Sequence, residues 1–257
     1  MHQSETVDLH SRLEGPPGAP VILLSHALGA SLAMWDVQAD AFAGQFRVLR
    51  FDTRGHGVSP VPPAPYTLPE LGSDVLRLMD ARRIEQAHFC GLSMGGCIGM
   101  WLAAHAPDRI DRLVLCNTMT VFDPPGGLDA RIATVRREGM SPLVDGTLER
   151  WFTSSYRAQA PDAVAAIRAL LLAAPVEGYV GCAAALRDMD LRGDLGRIRT
   201  RTLVICGSQD ATSPPAAARV MAAGIAEARC LELPSAHLSN LNAAAAFNAA
   251  VMGFLQA

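Results

Sequence analysis

Apolar and polar positions along the chain switch between two periods. Val21 to Ser25, Arg47 to Asp52, Ala87 to Leu92 and Leu113 to Asn117 are short strand-like runs, most of them continuously apolar, as expected of strands covered on both faces. Between them, Leu32 to Phe46 reads as a helix with Trp35 near its start. Leu68 to Ala81 carries Leu68, Leu71, Val75, Leu78 and Met79 at the spacing of a surface helix. Ahead of the first run, Thr6 to Leu13 alternates weakly and stops at Glu14-Gly-Pro-Pro-Gly18, an edge strand and a turn. Strands alternating with helices predict a parallel sheet with right-handed crossovers.

The alternation ends after Asn117. From Met119 to about Arg197 the pattern is helical, with breaks at Pro124-Pro-Gly-Gly127, Pro142, Pro161 and Pro175-Val-Glu-Gly178. Several short helices over the carboxyl edge of the sheet are predicted. Thr202 to Gly207 then resumes the sheet, followed by a helix over Ala216 to Ala226, a strand over Ala228 to Leu233 and a last helix over Leu241 to Leu255. The expected division is a sheet domain from residues 1–118 and 198–257, with a helical cap over 119–197.

Composition changes this picture little. The 257 residues are 50% hydrophobic and 18% charged, as in a compact globular protein. A net charge of −3 gives no electrostatic reason to expect nucleic acid or an anionic membrane. The expected partner is a small molecule, and assembly into a homo-oligomer is left open. The cysteines at 90, 97, 116, 182, 206 and 230 form no CxxC pair, which suggests small core residues in a reducing compartment. Without a basic segment and apolar stretch at the amino end, or an apolar run of roughly 20 residues, the expectation is a cytoplasmic protein.

The chemistry centres on Gly91-Leu-Ser93-Met-Gly95, where a strand runs directly into a small-residue helix. This is the pattern of a nucleophile elbow, a strained turn that leaves a serine hydroxyl at the carboxyl end of a strand. Gly91, Gly95 and Gly96 leave room for strand and helix backbones to approach, and the helix beginning at Met94 turns its N–H groups toward a developing oxyanion. Ser93 is therefore the candidate nucleophile.

Such a hydroxyl needs a base and a group that orients the base. His237, after the last predicted strand, is the candidate base. His26 and His56 also lie on carboxyl-side loops, but in glycine turns where bracing a loop accounts for them. Asp210, in Gly207-Ser-Gln-Asp210, is the candidate acid, because Asn117 after the preceding strand cannot carry the charge. The oxyanion donors are expected to be the N–H groups of Met94 and Leu28, with Ala27 the rival of Leu28. No HExxH, Walker loop or paired Cys/His cluster occurs, so neither cofactor nor metal is expected.

The chain resembles the α/β-hydrolase superfamily throughout and, within it, the 3-oxoadipate enol-lactonases. The closer resemblance is carried by Met34-Trp-Asp36, Phe46 to Gly57, Phe89 to Gly96, Arg150-Trp-Phe-Thr153, Asp190-Leu-Arg192 and Ala236-His-Leu-Ser-Asn240. It implies an α/β-hydrolase fold: a mostly parallel twisted sheet flanked by helices, with a helical cap inserted after the sixth strand. It also implies opening of a small carboxylate-bearing enol-lactone in aromatic catabolism through attack by Ser93. Such a substrate calls for an apolar wall, for which Trp35 and Trp151 are candidates. It also calls for a cation at its carboxylate, either Arg131 or Arg136. Three departures stand against the lactonase pattern: Ser25-His-Ala-Leu-Gly29 in place of Ser-Asn-Ser-Leu-Gly, Leu128 in place of a tryptophan, and a shortened first strand. The alternatives are a carboxylesterase or carbon–carbon hydrolase of the same fold, and a non-catalytic ligand-binding member.

Overall fold

The continuously apolar strands are explained by what covers them. In the computed structural model, which describes residues 6–122 and 127–257, side chains alternate into two apolar layers on opposite faces of one sheet. Leu23, Leu49, Phe89, Leu113, Leu115 and Val204 enter one layer. Ile22, Leu24, Val48, Cys90, Val114 and Ile205 enter the other.

In chain order the elements are β1 (Ser11–Glu14), β2 (Val21–Ser25), α1 (Asp36–Phe42), β3 (Arg47–Phe51), α2 (Leu68–Ala81), β4 (Ala87–Leu92), α3 (Met94–His105) and β5 (Ile110–Cys116). Five helices follow: α4 (Gly127–Glu138), α5 (Ser141–Trp151), α6 (Ser154–Gln159), α7 (Pro161–Ala173) and α8 (Val176–Asp188). The chain then returns as β6 (Arg201–Gly207), α9 (Pro215–Gly224), β7 (Arg229–Leu233), α10 (Ser239–Asn242) and α11 (Ala244–Gln256).

The seven strands lie in the order β1-β3-β2-β4-β5-β6-β7. Only β1 is antiparallel to its neighbour. From β2 the chain moves outward to β3, then returns past β2 to β4 and continues the other way. The carboxyl ends of β2 and β4 thus flank the point where strand order reverses, which is where open parallel sheets bind ligands. The loops carrying Leu28 and Ser93 leave the sheet there.

The helix predicted over 68–81 forms with those bounds. Thr67 and Glu70 make a reciprocal capping box with Pro69 in the first turn. The prolines expected to break the cap instead open its helices: Pro142 and Pro161 sit in the first turns of α5 and α7, and Pro175 precedes α8. The break expected at Pro124 to Gly126 lies outside the described residues. Helix α8 is buried along most of its length. It reaches the core through Gly178, whose backbone meets that of Gly55 so closely that neither position has room for a side chain.

Several expectations are corrected. Five strands, not six, precede the cap among the described residues, because the segment ahead of Val21 supplies only the four residues of β1 before Gly15 and the prolines turn the chain. The segment 32–46 divides into a single-turn 3-10 helix, Leu32–Trp35, and α1, which ends at Phe42. The last helix is broken at Ala243, whose backbone leaves the helical region between α10 and α11. Cys230 is exposed on edge strand β7, whereas the other five cysteines are buried. No single helix among the described residues is long and apolar enough to cross a membrane.

Candidate active site

Ser93 occupies the turn between β4 and α3 with φ 58° and ψ −115°, a region that non-glycine residues enter at a cost of about 1 to 3 kcal/mol. The neighbourhood holds it there. Ser93 N–H donates to Cys116 O at 2.9 Å, and its carbonyl accepts from Gly96 N and from Thr118 Oγ1 at 2.9 and 2.8 Å. A side chain at Gly91 would strike the backbone of Gly95, and one at Gly95 would strike that of Ser25. The three segments can therefore converge only with glycine at both positions.

Asp210 follows β6 and His237 follows β7, on the same carboxyl edge of the parallel strands as Ser93. His237 Nδ1 lies 2.8 Å from Asp210 Oδ2, with both side chains almost wholly buried. A carboxylate only accepts, so this nitrogen carries the proton and Nε2 keeps a lone pair. Asp210 Oδ1 accepts from the backbone N–H groups of Thr212 and Ser213 at 2.8 and 2.9 Å. Its Oδ2 also accepts from Asn117 Nδ2 at 2.9 Å. Burial alone would raise the carboxyl pKa, but His237, Ser213 and Asn117 together hold it below the ordinary value. Among the described residues neither Ser93 Oγ nor His237 Nε2 is engaged in a hydrogen bond. Catalytic hydrogen bonds are often long before substrate arrives and tighten in the complex.

The loop after β2 is braced by the two other histidines. His26 Nε2 accepts from Thr53 N at 3.0 Å while Nδ1 faces Ala27 O at 2.8 Å. His56 Nε2 accepts from Gly29 N at 2.9 Å. Acceptance at Nε2 requires neutral rings, and burial lowers the His26 pKa while burial and the neighbouring His26 lower that of His56 to about 3. Leu28 is thereby fixed between two anchored residues. Met94, the first residue of α3, has an N–H outside the helix's own hydrogen-bond ladder.

The cap meets this edge at Trp151. Its carbonyl accepts from Leu238 N and Asn242 Nδ2, both at 3.1 Å, and its indole lies 6.0 Å from the His237 ring. Trp35 is not brought alongside. It is fully buried in the second apolar layer, 6.1 Å from Phe247.

Of the two arginines proposed to meet a carboxylate, Arg136 is exposed on α4, whereas Arg131 turns inward with its guanidinium 5.9 Å from the Tyr179 ring. The Tyr179 ring also packs on Gly29, next to Leu28. The charge of Arg131 acts on the Tyr179 hydroxyl, yet neither Arg131 Nε nor Tyr179 Oη makes a well-aligned hydrogen bond.

Arg150, on α5, is a further cation missed in the sequence. Burial and then the charge of Arg131 push its pKa below the ordinary value. It borders a cleft of about 320 Å³ whose walls include Gln209, Ala211 and Ala236, beside the acid and base. Its signal, an arginine directly before Trp151, becomes interpretable only once α4, α5 and α8 are packed together. Neither Arg131 nor Arg150 belongs to an ion pair among the described residues, although Glu149 lines the same cleft as Arg150 and its charge acts on that guanidinium.

A strained serine at the sheet's switch point and a buried Asp–His pair on the same edge define the class. The model of the alpha/beta hydrolase fold matches residues 20–244, and the chain belongs to this family of hydrolases. It is 36% identical to 3-oxoadipate enol-lactonase 2 of Acinetobacter baylyi over 96% of this chain and 93% of that protein. It superposes on the crystal structure of the enol-lactonase from Burkholderia xenovorans with a TM-score of 0.96, at 44% identity and over 98% and 97% of the two chains. A putative carbamate hydrolase of Agrobacterium fabrum is 31% identical over 96% of this chain and 97% of its own length.

Proposed function

We propose that this hydrolase opens a small carboxylate-bearing enol-lactone, with 3-oxoadipate enol-lactone as the favoured substrate. Ser93 Oγ attacks the lactone carbonyl while His237 Nε2 takes its proton. The oxyanion is met by the N–H groups of Leu28 and Met94, each contributing roughly 2.7 to 4 kcal/mol to the transition state. The ring C–O bond breaks, the enol oxygen takes the proton from His237, and the enol becomes a ketone. Water activated by His237 then attacks the Ser93 ester, releasing the keto acid and restoring the hydroxyl. Asp210 keeps the imidazole in the tautomer that this sequence requires. No redox step or added electrophile is needed.

The observation that carries the choice of an acidic substrate is the pairing of Arg131 with Arg150 beside Tyr179. Two like charges that act on one another and form no ion pair are stabilised when an anion arrives. Trp151 supplies the apolar wall beside the base. In this reading the helical segment 119–197 is the part that selects substrate, and residues 1–118 and 198–257 carry the chemistry.

A second reading, hydrolysis of a neutral ester or carbamate, draws on the loop Ser25-His-Ala-Leu-Gly29 and on the carbamate hydrolase relative. Comparing kcat/KM on the enol-lactone, a neutral short-chain ester and a small carbamate separates the two. Preference for the lactone supports the proposal, and preference for either neutral substrate overturns it.

A further inference from the structure

The end of β5 presents a residue that the chemistry above leaves unused. Asn117 is 1% exposed and adopts a positive φ of 46°, a conformation asparagine tolerates better than most residues. Its backbone N–H donates to Ile205 O at 2.8 Å, tying it to β6. Its carboxamide reaches three segments at once. Nδ2 donates to Asp210 Oδ2 at 2.9 Å and to the carbonyl of Ala236, the residue before His237, at 3.3 Å. Oδ1 accepts from Ser239 Oγ at 2.5 Å.

Chemistry alone decides which way the amide points. Both Asp210 Oδ2 and Ala236 O are pure acceptors, so the opposite orientation would set oxygen against oxygen twice. The Ser239 hydroxyl must then donate to Oδ1, which removes the remaining freedom of the amide.

From this arrangement we infer that Asn117, oriented by Ser239, is a positioning residue for the Asp210–His237 pair. The inference rests on the catalytic roles proposed above. A carboxylate offers about four lone-pair directions. In Asp210, Thr212 N, Ser213 N and Asn117 Nδ2 occupy three of them, and the fourth faces His237 Nδ1. Without Asn117, Oδ2 has two free directions for one imidazole and the carboxylate is free to twist. The same amide also holds the base loop through Ala236, so one side chain sets the separation of acid and base. The neutrality of Asn117 matters as well. An aspartate here would replace the N–H donor on Asp210 Oδ2 by a second carboxylate, adding negative charge beside the Asp210–His237 pair.

The test uses the full-length enzyme with Asn117→Leu, Asn117→Asp and Ser239→Ala, and Asp210→Asn as the reference. It reads kcat, KM, the pH dependence of kcat/KM, and the rate and extent of Ser93 labelling by a fluorophosphonate. Asn117→Leu is expected to lower kcat about tenfold with little change in KM, the scale of a small misplacement in a catalytic group. Its ascending pH limb moves to higher pH, because Asp210 then gives its electron density to His237 undivided. Asn117→Asp moves that limb further in the same direction, and Ser239→Ala lowers kcat about twofold to threefold, the scale of one modest hydrogen bond.

A purely structural role would reduce the fraction of labelled enzyme while leaving the pH limb of the labelled fraction in place, and that result overturns the inference. So does wild-type kcat in Asn117→Leu when Asp210→Asn is severely impaired. Should Asn117→Leu not fold, the direction of the pH limb in Asn117→Asp decides in its place. An active Asp210→Asn would instead refute the proposed acid, a different failure.

Discussion

Two pairs of buried side chains at the same edge of the sheet, His26 with His56 and His237 with Asp210, show how one residue type takes opposite roles. All three imidazoles are almost completely buried, and all three carry the proton on Nδ1. They differ in what Nε2 meets. In His26 and His56 it is saturated by a backbone N–H, so the ring is a neutral strut that shapes the loop around Leu28. In His237 it meets no hydrogen-bond partner among the described residues, and the partner on Nδ1 is a carboxylate able to stabilise an imidazolium. Burial alone does not make a catalytic histidine; the partners of its two nitrogens do.

The sharpest break between the pairs comes from deleting the reactive groups. Ser93→Ala or His237→Gln is expected to lower kcat by about 10⁵ to 10⁶-fold, as when single members of a catalytic triad are removed. Steady-state hydrolysis shows the loss, and thermal melts are expected to remain near those of the native protein. His56→Gln should do the reverse, lowering the melting temperature far more than kcat. Asp210→Asn comes next, at about 10⁴-fold in kcat through the wrong tautomer of His237. An unaffected rate would place the acid elsewhere, in the helical segment 119–197.

The bracing pair makes its own prediction, in stability. Folding lowers the pKa of both rings, that of His56 from 6.5 to about 3. The unfolded chain therefore binds more protons below pH 6.5, so stability is fully present above that pH and is lost as pH falls toward the folded value. For His56 alone the loss between pH 6.5 and 4.5 is about 2 to 3 kcal/mol, at roughly 1.4 kcal/mol per pH unit. His88, also lowered by burial, adds in the same direction, whereas Asp210, with a reference value of 3.8, matters mainly at lower pH. Denaturant unfolding at the two pH values should show the loss, and His56→Gln should flatten it.

A smaller effect is expected at Arg131. Arg131→Ala should raise KM for the carboxylate-bearing lactone about tenfold, the equivalent of one charge-assisted hydrogen bond, and leave a neutral ester unaffected. Arg136→Ala should change neither. Equal effects on both substrates would assign Arg131 to packing on Tyr179.

The elbow was legible because its requirements are local. Gly91, Ser93 and Gly95 must fit a strand-to-helix turn, and the order Ser93, Asp210, His237 follows from the strand count. The Leu238-Ser-Asn240 stretch stood out without an explanation. Its reason is tertiary: Ser239 holds Asn117, and Asn240 Nδ2 donates to Met34 O and Gln38 Oε1, both at 3.1 Å. Asn117 was visible only as a residue unable to be the acid. Its donation to the acid depends on β5, β6 and β7 lying side by side. Arg131 and Arg136 were indistinguishable as two arginines on one helical segment, because nothing local says which face of α4 meets α8.

Periodicity, turn chemistry and chain order determined from the sequence the alternating elements, the elbow and the residues offered as acid and base, since each depends on residues close along the chain. The fold decided the partners of each imidazole nitrogen, the inward turn of Arg131 with its second cation Arg150, and the burial of Trp35 against Phe247. These depend on groups separated by tens to hundreds of residues, and only packing of the helices and strands sets which of them come together.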